Sequence, residues 1–239
     1  MQRLFMVAGG IAVALLCGCS ITQPVKYDLK DASKVSQGSA YSGYTVSVRE
    51  LKEMRKPAAK EGAWNAPATV QRNNASWFYN SADHYSNGVV SPGVSEMLAK
   101  HLDASGLFKS ACFNCDKTTG ADLILDGKIV RFDGFKESSA SAKAGTYFGV
   151  VGVLATAGVK SKYEATTVLS DLKLIKADTG AVLWQGAADG SIQGEDYADA
   201  AGWSVYAKAN ESLKKAVEGL IAKLRQGNPG KAVAELKSK

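Results

Sequence analysis

The chain has 239 residues, of which 46% are hydrophobic and 22% charged, a composition that is typical of a folded protein and excludes a long disordered chain. The formal net charge of +6 is modest, and 2 histidines and 4 cysteines leave little material for a metal site or a catalytic centre. The composition therefore favours a binding or scaffold protein, and we expect neither enzymatic activity nor a bound cofactor or metal.

The first eighteen residues have the features of a secretory signal peptide. Arg3 precedes an apolar run over residues 4–16, which is shorter than the ~20 residues of a membrane-spanning helix. The run ends in LCGCS, which resembles a bacterial lipobox with leucine at −3, glycine at −1 and Cys19 at +1. Cys17 fits less well, because Leu16 would occupy the position that takes a small residue. An uncleaved anchor and an ordinary secreted protein are the alternatives.

The lipobox resemblance implies that Cys19 becomes an acylated N-terminus that carries palmitate. Several acyl chains would hold the protein stably on a leaflet, whereas a single chain, at about 0.8 kcal/mol per buried methylene, binds reversibly. Ser20 at the following position resembles the sorting signal for the outer membrane. We therefore predict a lipid-anchored protein that faces the periplasm, where nucleic acid is not an expected partner.

The composition divides the chain into four parts. Residues 1–18 are the signal peptide, and residues 19–43 are predicted to be a lipid anchor with a flexible tether, because Ser, Gln, Gly, Lys and Asp predominate there. Residues 44–227 are predicted to be a periplasmic domain, and residues 228–239 a polar tail.

The predicted elements of the domain begin with a strand in which Tyr44, Val46 and Val48 share one face. A loop follows from residue 52 to 68, then a short aromatic strand over residues 75–80. Ser91 as N-cap, Pro92 in the first turn and Gly106 after the last turn bound a predicted helix, beneath which residues 107–108 are expected to pack.

The second half of the domain is predicted to hold three strands and a long helix. The strands cover residues 121–132, 163–176 and 181–187, and the last two are joined by a turn at Asp178, Thr179 and Gly180. The closing helix covers residues 199–225, with one apolar face made of Val205, Ala209, Leu213, Val217, Leu220 and Leu224. The pattern predicts an α+β fold, a mainly antiparallel sheet with two helices packed on one face.

Cys112 and Cys115 form the only cluster with reactive potential. In an exported chain such a pair most simply forms a local disulfide, which is our prediction. A thiol redox site needs a helix N-terminus that lowers the thiol pKa, but the residues after Cys115 are predicted to form a loop. A zinc site needs a second pair of ligands, and the sequence has none. The redox role stays an open alternative.

The two histidines match no known spacing with a nucleophile and an acid. His101 lies on the inner face of the first predicted helix and is expected to be a satisfied core or boundary residue, whereas His84 lies in a loop and is expected to be exposed. The densest basic run consists of Lys52, Arg55, Lys56 and Lys60. It is interpreted as a solvated loop, with contact to anionic lipid or polysaccharide as the alternative.

Four stretches resemble the superfamily of the curli secretion lipoprotein (CsgG-like proteins) and of ABC-type transport auxiliary lipoproteins. They are the helix at residues 91–108, the strand at 121–134 (ADLILDGKIVRFDG), the hairpin at 170–184 (SDLKLIKADTGAVLW) and the closing helix. The resemblance implies envelope proteins of a secretion or transport complex as partners, and self-association as a homo-oligomer.

A Gly-rich apolar insertion, residues 138–162, separates the second strand from the hairpin. In curli-type channels the corresponding place holds a membrane-inserting hairpin. Here residues 147–159 are apolar and small but too few for a spanning helix. A packed loop is the favoured interpretation, and a segment that touches the membrane or forms an oligomer is the alternative. Residues 189–199 are too few for a second membrane hairpin, so a self-contained pore is not expected.

These observations lead to one functional hypothesis and two rivals. The leading hypothesis is a non-catalytic outer-membrane-anchored lipoprotein that serves as an accessory or assembly component of an envelope export or secretion system. The first rival is an auxiliary lipoprotein of an ABC-type lipid-trafficking system. The second is a thiol redox protein that uses Cys112 and Cys115.

Overall fold

The computed structural model describes residues 25–30, 39–55, 75–80, 90–115, 120–137, 160–197 and 203–226. Within these ranges the fold is α+β, as predicted, with a mixed sheet of 7 strands and two helices. In chain order the elements are β1 (Thr45–Val48), β2 (Lys52–Glu53), β3 (Ala75–Asn80), α1 (Ser91–Ser105), β4 (Ser110–Phe113), β5 (Leu123–Glu137), β6 (Lys160–Lys176), β7 (Val182–Tyr197) and α2 (Trp203–Gln226).

The sheet is organised around β5. Strands β6 and β7 follow it in a long antiparallel meander, and β1 pairs with the opposite edge of β5 in parallel, with β4 outside β1. The same edge of β5 continues with β2, in parallel, and then with β3, antiparallel. The short strands of the first half therefore line up end to end along one long strand.

One core fills the space between the sheet and the helices. Alternate residues of the strands, such as Val46, Leu123 and Leu172, are fully buried against the apolar sides of α1 and α2. All residues predicted for the inner face of α2 whose side chains the structure describes are buried, namely Ala209, Leu213, Val217, Leu220 and Leu224. Both helices thus cover the same face of the sheet, because α1 packs on β1 and β4 and α2 packs on β5, β6 and β7.

Helix α1 begins and ends where the sequence predicts. Pro92 lies in its first turn, and Gly106 closes it in the left-handed conformation at φ 67°. The predicted capping role of Ser91 is wrong, since Val90 holds the N-cap position. The hydroxyl of Ser91 instead donates to the carbonyl of Leu51, which ties the start of α1 to the chain that follows β1.

The strands are longer and more numerous than predicted. The turn after β6 closes through Gly180, at φ 73°, whose N–H donates to the carbonyl of Lys176 over 2.9 Å, as its turn sequence predicts. Two short strands were missed. Strand β2 lies in the segment predicted to be a loop, and β4 follows the buried Leu107 and Phe108.

The helices lie along the axis of the strands, which gives the domain two distinct ends. Ser91 contacts Leu51 at the start of α1, and Asp103 near its end accepts from the N–H of Ala111, so α1 runs antiparallel to β1. Helix α2 runs antiparallel to β7, because Lys215 contacts Ser191 and Lys223 contacts Ala187. We call the end at which β5 and β7 finish and β6 begins the hairpin end, and the end with the turn at Gly180 the turn end.

Candidate functional site

Several predicted functional positions lie outside the described residues. These are Cys19 with the signal peptide, His84, Lys56, Lys60, the apolar segment 147–159 and the tail 228–239. The structure therefore bears on residues 25–30, His101, the cysteine pair, Lys52 and Arg55.

Residues 25–30, which we call the strap, belong to the predicted tether. Their side chains alternate between half-buried Val25, Tyr27 and Leu29 and exposed Lys26, Asp28 and Lys30. The three inward side chains pack against the domain core. Tyr41 from the same predicted tether is itself a core residue, 2% exposed. The packed domain thus includes residues that composition assigned to the tether, because the alternation of VKYDLK is an extended-chain pattern within a polar stretch.

The strap crosses α1 at two points. A methyl group placed on Gly93, in the first turn, would lie 3.0 Å from Cγ2 of Val25, so the glycine makes room for this side chain. Further along α1, the hydroxyl of Tyr27 lies 3.0 Å from Nδ1 of His101, and the two rings meet edge to face at 5.5 Å. The strap therefore runs in the same direction as the helix.

Burial favours the uncharged forms of both Tyr27 and His101. His101 is fully buried, and this burial, together with the nearby charge of Lys214, lowers its pKa from 6.5 to about 4. Burial also raises the pKa of Tyr27, and the carboxylate of Glu218 adds to the rise. At neutral pH the contact is a hydrogen bond between two uncharged side chains.

Only one of the two ring nitrogens of His101 has a hydrogen-bond partner among the described residues. Its Nδ1 bonds to Tyr27, whereas Nε2 is buried and has no hydrogen-bond partner among the described residues. The prediction of a core histidine is right in its burial. The sequence did not reveal the partner, because Tyr27 lies 74 positions away in a segment that composition marks as a tether.

The structure joins Cys112 and Cys115 by a disulfide at the end of edge strand β4. Asn114 between them adopts φ 51°, and its N–H donates to the carbonyl of Val48 over 2.9 Å. The N–H of Cys115 donates to Oγ of Ser47 over 3.0 Å, and Cys115 is buried. The bonded pair therefore forms a tight turn that covers the last residues of β1.

The two described residues of the basic run have different environments. Lys52 is exposed, but the side chain of Arg55 is only 4% exposed. The guanidinium of Arg55 bonds to Glu53 and to the carbonyl of Phe132. The interpretation as a solvated loop is therefore wrong for Arg55, which is built into the sheet next to β2.

Two further features concern metals and membranes. Among the residues that the structure describes, no three His, Cys, Asp or Glu side chains come together as metal ligands. Neither α1 nor α2 combines the length and apolar character that a bilayer-spanning helix requires.

Comparison with known proteins gives structural likenesses only. No protein-family model matches the sequence, and no curated protein matches it significantly. Protein XCC0632 from Xanthomonas campestris, assigned to the family DUF330, aligns with 86% of this chain and 94% of its own at 14% identity and a TM-score of 0.44. The PelC dodecamer from Paraburkholderia phytofirmans aligns with 78% of this chain and 93% of its own, at 12% identity and a TM-score of 0.37.

A third solved structure is described as a lipoprotein. GNA1162 from Neisseria meningitidis aligns with 75% of this chain and 99% of its own, at 14% identity and a TM-score of 0.26. The resemblance of the sequence to CsgG-like and ABC-type auxiliary lipoproteins accordingly stays a prediction.

Proposed function

We propose that this chain is a non-catalytic lipoprotein, anchored by acylated Cys19 on the periplasmic side of the outer membrane, that serves as an accessory or assembly component of an envelope export system. The observation that carries the proposal is the lipobox, in which a short apolar run ends in LCGCS. A lipid anchor of several acyl chains needs no further membrane-spanning element.

The position of the strap supports a short connection between lipid and domain. Val25 is already packed against α1, only six positions after Cys19. Six extended residues reach at most about 21 Å, so an acylated Cys19 would hold the domain close to the leaflet.

The described strand ends support a role for the insertion at the same membrane. Lys136 of β5 pairs with Tyr163 of β6, and Lys160 of β6 pairs with Tyr197 of β7. The insertion connects β5 to β6 and therefore leaves the domain at the hairpin end. Contact of residues 147–159 with the leaflet, or with a second copy, is part of the proposal.

The sheet edges favour the insertion over strand pairing as the contact between copies. Edge strand β7 has two carbonyl groups occupied by α2, because Lys223 donates to Ala187 over 2.8 Å and Lys215 donates to Ser191 over 3.3 Å. On edge strand β4, Asp103 accepts from the N–H of Ala111 over 2.9 Å. Side chains that occupy an edge strand oppose the addition of another strand.

Different experiments distinguish the two rival functions from the proposed one. An auxiliary lipoprotein of an ABC-type lipid-trafficking system would cross-link to inner-membrane partners in intact envelopes, whereas an export accessory would cross-link to secretion components. A thiol redox protein would exchange its disulfide readily, but the burial of Cys115 favours a structural bond.

The test is substitution of Cys19 by alanine. We expect Cys19→Ala to abolish palmitate labelling and flotation of the chain with outer-membrane vesicles. Lys30→Gln, which changes an exposed strap residue, is the control and should label and float like the wild type. Labelling of the Cys19→Ala protein would refute the lipid anchor.

A further inference from the structure

The strap is bound to the helices by contacts that a free tether would not make. Its inward residues reach the core, Gly93 leaves space for Val25, and the Tyr27 hydroxyl bonds to a fully buried histidine. Half-buried apolar side chains and a hydrogen bond to a buried ring each favour the ordered segment over a solvated one.

We propose that the strap fixes the orientation of the domain on the membrane, with the hairpin end toward the leaflet and the turn end away from it. The inference rests on the lipid anchor of the proposed function, and adds that residues 25–30 set the distance and direction between Cys19 and the domain. The partner of the hairpin end is the lipid leaflet itself.

The reach of the chain decides how closely the domain is held. If the whole tether were free, the 25 steps from Cys19 to Tyr44 would extend to at most about 85 Å. With the strap docked, six steps separate Cys19 from Val25, the first packed residue, and they extend to at most about 21 Å. Docking therefore reduces the accessible distance about fourfold.

The direction of the strap decides which end faces the lipid. The chain passes Gly93 before it passes His101, so the strap begins on the side where α1 begins, and the link to Cys19 starts there. From that level the sheet continues toward the hairpin end, because Glu53 pairs with Ile129 and β5 runs on to Glu137. The eight steps from Ile129 to Glu137 span about 26 Å, which exceeds the maximum linker reach of about 21 Å, so in this orientation the hairpin end reaches the leaflet.

Energy transfer between the domain and the lipid surface tests the orientation. A donor dye is attached to the acylated full chain through Glu195→Cys, near the hairpin end, or through Thr179→Cys, at the turn end. Both positions are exposed and lie on or next to β7. The acceptor is a headgroup dye in vesicles of phosphatidylethanolamine and phosphatidylglycerol. We expect transfer to be several-fold more efficient from position 195 than from position 179.

Two variants release the strap from opposite sides. Val25→Ser with Tyr27→Ser removes the inward side chains, and Gly93→Leu fills the space that Val25 occupies while favouring the helix locally. In both, the ratio of the two transfer efficiencies should fall toward one. Lys30→Gln, whose side chain is 86% exposed in the native chain, should leave the ratio unchanged. Melting temperatures establish that each variant is folded.

Each outcome decides between the two proposals. Acylated, vesicle-bound protein whose transfer ratio is the same with and without the strap contacts would overturn the orienting role and leave the lipid anchor intact. A higher efficiency from position 179 would reverse the orientation and refute the inference. Loss of palmitate labelling from the wild type would refute the anchor and, with it, the strap as a membrane device.

Discussion

Among single side chains, His101 contacts the strap and has a pKa that makes stability depend on pH. It is fully buried between the strap and α2, and the groups that influence it are Tyr27, Lys214 and, through Tyr27, Glu218. Protonation of the ring would place a positive charge in the core beside Lys214. Burial, together with the charge of Lys214, therefore favours the neutral ring and lowers the pKa of His101 from 6.5 to about 4.

This shift predicts a specific pH dependence of stability. Between pH 6.5 and about 4 the unfolded chain binds a proton at this position that the folded chain does not, so the free energy of unfolding falls as the pH is lowered. The contribution is fully present above pH 6.5 and is lost by about pH 4. At about 1.36 kcal/mol per pKa unit the total loss is on the order of 3 kcal/mol.

Urea unfolding of wild type and His101→Gln at pH 7, 5.5 and 4.5 measures this contribution. Glutamine keeps a hydrogen-bonding group for Tyr27 but does not titrate, so the stability of the variant should depend less on pH across this range. Parallel pH profiles for the two proteins would assign the acid sensitivity to other groups.

At the level of elements, β7 approaches the backbone of α2 closely at Gly190. A methyl group there would lie 2.2 Å from the carbonyl oxygen of Ser212 and 2.6 Å from the backbone nitrogen of Ala216. Both neighbours are backbone atoms of a helix, which cannot move singly. The strand and helix can pack at this distance only because residue 190 has no side chain.

We therefore expect Gly190→Ala to destabilise the domain by about 3 kcal/mol, since α2 must shift away from the sheet. Gly43→Ala is the matched control, because among the described residues no heavy atom beyond its chain neighbours lies within 4 Å of the added methyl group. The control should change stability by less than about 0.5 kcal/mol. Thermal and urea unfolding of both variants compare them directly, and equal stabilities would contradict the close packing of β7 on α2.

The elements that the sequence predicted well are those whose pattern is local. The apolar face of α2, the stop at Gly106 and the turn at Gly180 each depend on residues a few positions apart. Strand β2 has only 2 residues, and its pairing with Lys128 and Ile129 is remote in sequence. Such a strand has no pattern of its own, so only tertiary contact defines it.

The candidate site was predicted less completely for the same reason. The CxxC spacing identified Cys112 and Cys115, whereas Ser47, which accepts from the N–H of Cys115, is 68 positions away. The alternation of residues 25–30 was a local signal for the strap, but it is only six residues long and lies in a polar stretch. Its burial depends on Gly93 and His101, which the sequence does not connect to it.

For the whole molecule, the residues that form the core are distinct from the insertion that we propose for contact with the leaflet or with a second copy. The insertion joins two strands that are already paired, since Lys136 lies opposite Tyr163 in the antiparallel pairing of β5 with β6. The core between sheet and helices draws on the strands between this point and the turn end, as Phe132, Leu169 and Leu174 are buried there. The insertion is thus not required to hold β5 and β6 together.

Removal of residues 147–159 should therefore leave the fold intact and change its association. Nine residues, 138–146, would still connect β5 to β6, which is ample for adjacent antiparallel strands. If the segment mediates contact between copies, the mass of the acylated protein in detergent, measured by sedimentation, should fall while the melting temperature stays within a few degrees. The double variant Lys215→Ala with Lys223→Ala, which frees the β7 carbonyls instead, is the comparison and should not lower the mass. The contrary outcome is an unchanged mass together with a large loss of stability in the deletion variant. It would identify residues 147–159 as a packed loop of the domain, because a packed loop contributes to folding and not to assembly.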